Sequence, residues 1–183
     1  MRYEKIITLK DGRPCVLRNG TSEDGPACLE VVLRTRRQTD YLLSRPEEIS
    51  LTPRQESEYL QRKTEDPKEI ELIAEVDGTL AGMAGIEAVA RYWKTAPRAT
   101  FGVSVDQEFW GLGIGRALTE ACIRCAREAG YSQLELEVVA DNEAALELYR
   151  SAGFTEYGRN PRGFRSRDSG WQELVLMRLE LDD

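Results

Sequence analysis

Residues 109 to 118, FWGLGIGRAL, place glycines at 111, 113 and 115 between a run that alternates and a run with helical periodicity. In ATFGVSVD (99 to 106) the side chains of Phe101, Val103 and Val105 share one face, the pattern of a strand. From Ile114 to Ala129 the apolar residues fall at Ala117, Leu118, Ala121, Cys122, Cys125, Ala126 and Ala129, a helical stripe, with Arg116, Glu120, Arg124, Arg127 and Glu128 opposite. Gly130 is placed to end that helix, and SQLELEVV (132 to 139) reads as the next strand. Strand, glycine loop, helix and strand make a crossover unit whose two strands lie parallel.

A loop that joins a strand to a helix exposes the helix's unpaired N–H groups and the positive end of its dipole, an anion site. Glycines let a phosphate approach closely, and Arg116 in the first turn opposes the dipole unless an anion pairs with it. A tight turn with Arg116 in solvent fits the glycines alone equally well. The dinucleotide fingerprint G-x-G-x-x-G fails in both registers, since Arg116 and Leu118 stand where its last glycine belongs, and there is no Gly-Lys-Ser/Thr of a Walker A loop.

The rest of the chain supplies an α/β frame with a mixed, mostly antiparallel sheet. RPCVLRN (13 to 19) reads as a strand and TSEDGPACLEVVLRTRR (21 to 37) as a helix started by Thr21 or Ser22. The basic cluster RTRRQ (34 to 38) reads as a solvated helix end. Thr52, Pro53 and Gln55 carry the signature of a capping box and start a second helix. Ile70, Leu72, Ala74 and Val76 alternate with Glu69, Glu71, Ile73 and Glu75 up to Asp77-Gly78, which predicts a hairpin. NEAALELYRSA is a last short helix ending at Gly153, RNPRGFRSRDSG (159 to 170) a basic loop, and GWQELVLMRLEL a closing strand. With 183 residues, 41% of them hydrophobic, one domain spanning 1 to 183 is expected.

Composition narrows the chemistry. A net charge of −7 disfavours a surface that tracks nucleic-acid phosphates and suits a cationic acceptor such as an amine. Histidine is absent, which removes Ser-His and Cys-His pairs and His-ligated metals; proton transfer falls to Tyr, Glu, Asp, Lys, Cys, a chain terminus or water. No apolar run approaches the roughly 18 residues that span a bilayer, and MRYEKIITLK has no signal-peptide core. Neither membrane insertion nor export is expected, and four irregularly spaced cysteines suit the reducing cytoplasm. Cys122 and Cys125 lie mid-helix on its apolar face, so they read as buried small hydrophobes, with no metal expected.

Two segments together resemble the GNAT superfamily of acetyl-CoA-dependent N-acetyltransferases. VSVDQEFWGLGIGRAL is similar to its Arg/Gln-x-x-Gly-x-Gly/Ala motif after a valine-rich strand, with Gly113 and Gly115 at the glycine positions and Trp110 where Arg or Gln is usual. VVADNEAALELYRSAGF (138 to 154) matches a second signature at Asn142, Ala145, Tyr149, Gly153 and Phe154. The resemblance covers nearly the whole chain, most specifically residues 99 to 154, and is weakest over 34 to 68. It implies acetyl-CoA as cosubstrate, its pyrophosphate on Trp110, Gly111, Leu112, Gly113, Ile114, Gly115 and Arg116, and its pantetheine arm along Val103, Ser104 and Val105, with Asn142 bonded to it. It also implies Tyr149 as the acid that protonates the departing thiolate, and a homodimer paired through the closing strand. Asn142 and Tyr149 are seven residues apart, almost two helical turns, and so should face one cleft.

Relatives often carry a Glu in the strand before the glycine loop, whereas Ala99, Thr100, Phe101 and Gly102 offer no carboxylate before Asp106. Glu87 and Glu137 are the remaining candidate bases for deprotonating an amine, besides water. The expected activity is direct acetyl transfer to a primary amine of a small molecule. The alternatives are a protein N-terminus or lysine as acceptor, a non-catalytic acyl-CoA-binding module on the same fold, and a nucleotide-binding regulator.

Overall fold

The computed structural model describes residues 1–181. Its strands β1 (Glu4–Thr8), β2 (Pro14–Asn19), β3 (Ile70–Val76), β4 (Thr79–Ala88), β5 (Arg98–Val105), β6 (Gln133–Val139), β7 (Thr155–Arg165) and β8 (Trp171–Glu180) form one sheet in the order β1-β2-β3-β4-β5-β6-β8-β7. Neighbours are antiparallel except β5 and β6, the parallel pair joined by the crossover. The hairpin between β3 and β4 turns on Asp77 and Gly78, at φ 50° and 77°, the left-handed pair that matches strand twist.

Helices cover both faces. On one, α3 (Ile114–Glu128) and α4 (Glu143–Ser151) bury Leu118, Cys122, Leu146 and Tyr149 against Leu72, Ile86, Phe101 and Leu134. On the other, α1 (Gly25–Gln38) and α2 (Pro53–Glu65) bury Cys28, Val31 and Leu60 against Ile73, Leu80 and Met83. The capping box of α2 is formed: the Gln55 N–H donates to Thr52 Oγ1 at 3.3 Å and the Thr52 N–H to Gln55 Oε1 at 2.9 Å. No helix among the described residues is long and apolar enough to cross a membrane.

β5 and β6 pair only at Arg98–Gln133, Ala99–Leu134 and Thr100–Glu135. Beyond those residues the strands part, leaving the edge of β5 from Phe101 to Val105 free on the side of β6.

The N-terminal segment forms β1, an edge strand paired only with β2. Three expectations need correction. The helix expected from 21 begins as a 3-10 turn, Ser22–Asp24, and becomes α-helical at Gly25 where Pro26 suits its first turn. Most of the basic stretch from 159 belongs to β7, whose register shifts between Glu156 and Gly158 and between Asn160 and Phe164 accommodate Pro161 on an outer edge. Finally, the closing strand β8 has both edges paired, to β6 and β7, so it has no edge left for a second copy.

Candidate active site

The glycine loop is shaped by its backbone. Gly111 and Gly113 have φ of 77° and 100°, angles that side-chain-bearing residues resist, and a Cβ at either would meet nothing within 4 Å. Gly113 caps α3 without a side chain to accept a bond, so the first-turn N–H groups at Ile114, Gly115 and Arg116 face outward at the positive end of the dipole. Gly115 differs: its backbone is helical, and a Cβ there would rest 3.5 Å from Leu148, an ordinary contact.

Side chains fasten this loop to its surroundings. The half-exposed Trp110 donates its indole N–H to the Val105 carbonyl at 2.7 Å, tying the loop to the end of β5. The Leu112 carbonyl accepts from Lys10 N–H at 3.2 Å, and Ile114 is buried. Asp106, 1% exposed, accepts from Arg34 Nε, from Gln38 Nε2 at 2.9 Å and from the Glu108 N–H at 3.2 Å. The cluster at 34 to 38, expected in solvent, therefore reaches across to the base of the loop. Arg116 is exposed, donates to Ser151 Oγ at 3.0 Å and faces Glu120 at 4.0 Å.

Val103, Ser104 and Val105 lie partly buried on the free edge of β5. At the mouth of the parting strands the Tyr149 ring stands edge-on to Phe101, 6.1 Å between centroids at 89°, and 5.9 Å from Phe154. Burial alone pushes its phenol up to about 12, so it is protonated at neutral pH. Asn142 caps α4 rather than lying within it, at φ −85° and ψ 68°; its Oδ1 accepts the Ala145 N–H at 3.3 Å. The two-turn argument that aligned it with Tyr149 therefore does not apply, because an N-cap has left the helical path.

Acidic groups gather on the other face. Glu87, with 54% of its side chain exposed, pairs with the buried Lys63 at 2.7 Å and accepts from the Tyr59 hydroxyl at 3.3 Å. Burial raises its carboxyl, but Lys63 and the Tyr59 hydroxyl outweigh that and hold it below the usual carboxylate value. Lys63 also meets Glu69 at 3.3 Å and donates to the Ile86 carbonyl at 3.1 Å. Glu137 is exposed on β6. Sequence reasoning passed over Glu71 on β3, partly buried, which accepts from the Tyr59 hydroxyl at 3.0 Å. The signal was Ile73, an apolar residue in register with Glu71 and Glu75, which marks that face as covered.

A cleft of about 220 Å³ lies between the α1–α2 connection and the β7–β8 end, lined by Arg36, Asp40, Arg45, Glu48, Phe164 and Arg165 among others. A larger hollow, about 480 Å³, sits beside Trp93, Pro97 and Gly130 at the opposite ends of β5 and β6, away from the glycine loop. The four cysteines are buried and free; burial pushes the Cys125 thiol up to about 11 and Cys122 further. Neither offers a thiolate at neutral pH.

Against known proteins, residues 36–154 match the family model described as acetyltransferase (GNAT) family. The chain is 38% identical over 86 residues to the mycothiol acetyltransferase of Sanguibacter keddieii, covering 46% of this chain and 27% of that protein. It is 41% identical over 90 residues to the N-alpha-acetyltransferase RimI of Mycobacterium tuberculosis, covering 48% and 53%. The chain thus spans about half, or less, of the length of these curated relatives. In fold it is similar to yncA of Salmonella typhimurium, solved with its cofactor acetyl-CoA, at a TM-score of 0.82 and 21% identity over 92% of this chain and 95% of that one.

Proposed function

The chain belongs to the GNAT family of acetyltransferases, and from that premise we propose that it transfers the acetyl group of acetyl-CoA directly to a primary amine of a small molecule. The observation that carries this reading is the parting of β5 from β6 beside a glycine loop with free amides. In it, the first-turn N–H groups at Ile114 to Arg116 hold the pyrophosphate, with Arg116 as an added cation. Trp110 and Leu112 keep the loop in place through their bonds to Val105 and Lys10. The free edge at Val103, Ser104 and Val105 bonds the amides of the pantetheine arm, and the Nδ2 of Asn142, whose Oδ1 caps α4, adds to it.

Tyr149 gives its proton to the departing sulfur. A phenol pushed to about 12 is fully protonated at neutral pH, as this role needs. With no histidine and with cysteines sealed in the core, nothing favours a covalent enzyme intermediate; binding both reactants side by side supplies the main rate gain. The carboxylate of Glu87 is committed to Lys63, which makes it a weak base, and Glu137 is exposed on β6.

The likeness to the mycothiol acetyltransferase of Sanguibacter keddieii supports a small-molecule amine as acceptor. A second reading, a protein N-terminal amine, draws on the likeness to RimI. Release of CoA thiol is to be followed with acetyl-CoA and amino acids, spermidine, amine-bearing antibiotics and an alanyl hexapeptide. Turnover of a free amine supports the first reading, and turnover of the peptide alone the second. Binding of CoA with no turnover of any amine would make the chain an acyl-CoA-binding module.

A further inference from the structure

Across the face covered by α1 and α2, Glu71 of β3 pairs with Gly85 of β4, and Gly85 with Gly102 of β5. Residues directly opposite in antiparallel strands project to the same side, so the three form one row. The middle position is vacated for the carboxylate: a Cβ on Gly85 would lie 2.2 Å from Glu71 Oε2 and 3.0 Å from its Cδ. Glu71 therefore lies across β4, directed at β5. Over Gly102 a Cβ would meet nothing within 4 Å. Neighbouring strands are about 4.8 Å apart, so a nitrogen held over Gly102 is within reach of Glu71 directly or through one water.

Gly102 follows Thr100, the last residue of β5 paired with β6, by two positions and adjoins Phe101, whose ring meets Tyr149. The open space over Gly102 thus backs onto the place where the strands part. We propose that Glu71 is the base that takes a proton from the acceptor ammonium bound over Gly102, with Tyr59 as its positioning residue. This rests on the acetyltransferase reading above.

The ammonium gives one proton to Glu71. Its nitrogen forms the C–N bond as the C–S bond breaks; the proton of Tyr149 goes to sulfur, and the nitrogen's second proton restores the phenol. Glu71 returns its proton to water.

Among the described residues Glu71 makes no ion pair, unlike Glu69 and Glu87. The groups around it are Glu56, Tyr59 and Lys63 of α2, Glu87 of β4, Cys28 of α1 and, from the other face of the sheet, Cys122 of α3. Burial raises its carboxyl to about 7, against the pull of Lys63 and the Tyr59 hydroxyl and with the push of Glu56 and Glu87. Near neutral pH it is therefore available in both forms, as a proton carrier must be.

The test measures kcat and kcat/KM against pH for the wild type and for Glu71→Gln, Tyr59→Phe and Gly85→Ala, with the wild type's best acceptor among the amines named above. The wild type should show a limb rising through about pH 7. Glu71→Gln should lower kcat about 100-fold at pH 7 and flatten that limb, with the thermal protection by acetyl-CoA unchanged. Tyr59→Phe should move the limb to higher pH, because the lost hydrogen bond had favoured the carboxylate. Gly85→Ala should lower kcat by displacing the tip of Glu71, and it decides the matter if Glu71→Gln fails to fold.

Variants that keep the rate within threefold, or lose rate with the limb unmoved, overturn the assignment of Glu71 alone. A wild type that turns over no amine overturns the acetyltransferase reading and this assignment together.

Discussion

The face under α3 and α4 and the face under α1 and α2 meet the same sheet with different materials. Beside α3 the groups open to a ligand are backbone: the amides after Gly113 and the free edge of β5. Beneath α2 the polar groups are side chains, Tyr59, Lys63, Glu71 and Glu87, linked by hydrogen bonds and an ion pair. A backbone site tolerates sequence change as long as its turns persist, and so suits a part of the ligand that never varies. A side-chain site changes with each substitution, and so suits the acceptor. Asp106 links the two, since it directly follows β5 and α1 grips it through Arg34 and Gln38.

The sharpest way to separate the two faces is Tyr149→Phe. Steady-state kinetics should show kcat about 100-fold lower with KM for acetyl-CoA unchanged if the phenol acts on the leaving group as proposed, because the ring stays packed on Phe101. Next comes Lys63→Met, which strands Glu69 and Glu87. Denaturant unfolding should show a loss of about 2 kcal/mol, below the 3–5 kcal/mol of a fully buried pair because Glu87 is half in water. Acetyl-CoA affinity should stay as it was, and a loss there would deny that the faces are independent. Arg116→Glu works from the other side: calorimetry should give at least tenfold weaker CoA binding, about 1.4 kcal/mol, with little change in stability.

A smaller effect concerns pH. The Glu71 carboxyl is raised in the fold from 4.5 to about 7, so its contribution to stability is fully present below about pH 4.5 and is lost as pH rises through 7. Unfolding of Glu71→Gln followed over that window should lack this loss. Parallel curves for variant and wild type would place the group in solvent.

The crossover, its glycine loop and the buried stripe of α3 were legible in the sequence because strand and helix periods were undisturbed and each ended at a turn residue. So was the α2 cap, whose partners lie three residues apart. β1 escaped because it is an edge strand with almost every residue exposed, Ile6 at 67%, and so carries no alternation. The part of β7 from Arg159 read as a loop for the same reason, with Arg, Gly and Pro permitted on an outer edge. Within the site, the residues near the glycine loop follow from local sequence. The Glu71–Gly85–Gly102 row spans three strands, and its meaning depends on a register that only the assembled sheet supplies.

The most direct measurement is thermal unfolding of the protein alone and with saturating acetyl-CoA, CoA, ATP or NAD. A ligand at a hundred times its dissociation constant adds about 2.7 kcal/mol, or roughly 5 to 10 °C for a chain of this size. The account predicts that shift with acetyl-CoA and CoA and none with ATP or NAD. Equal protection by ATP or NAD, or no protection by either CoA species, would contradict it.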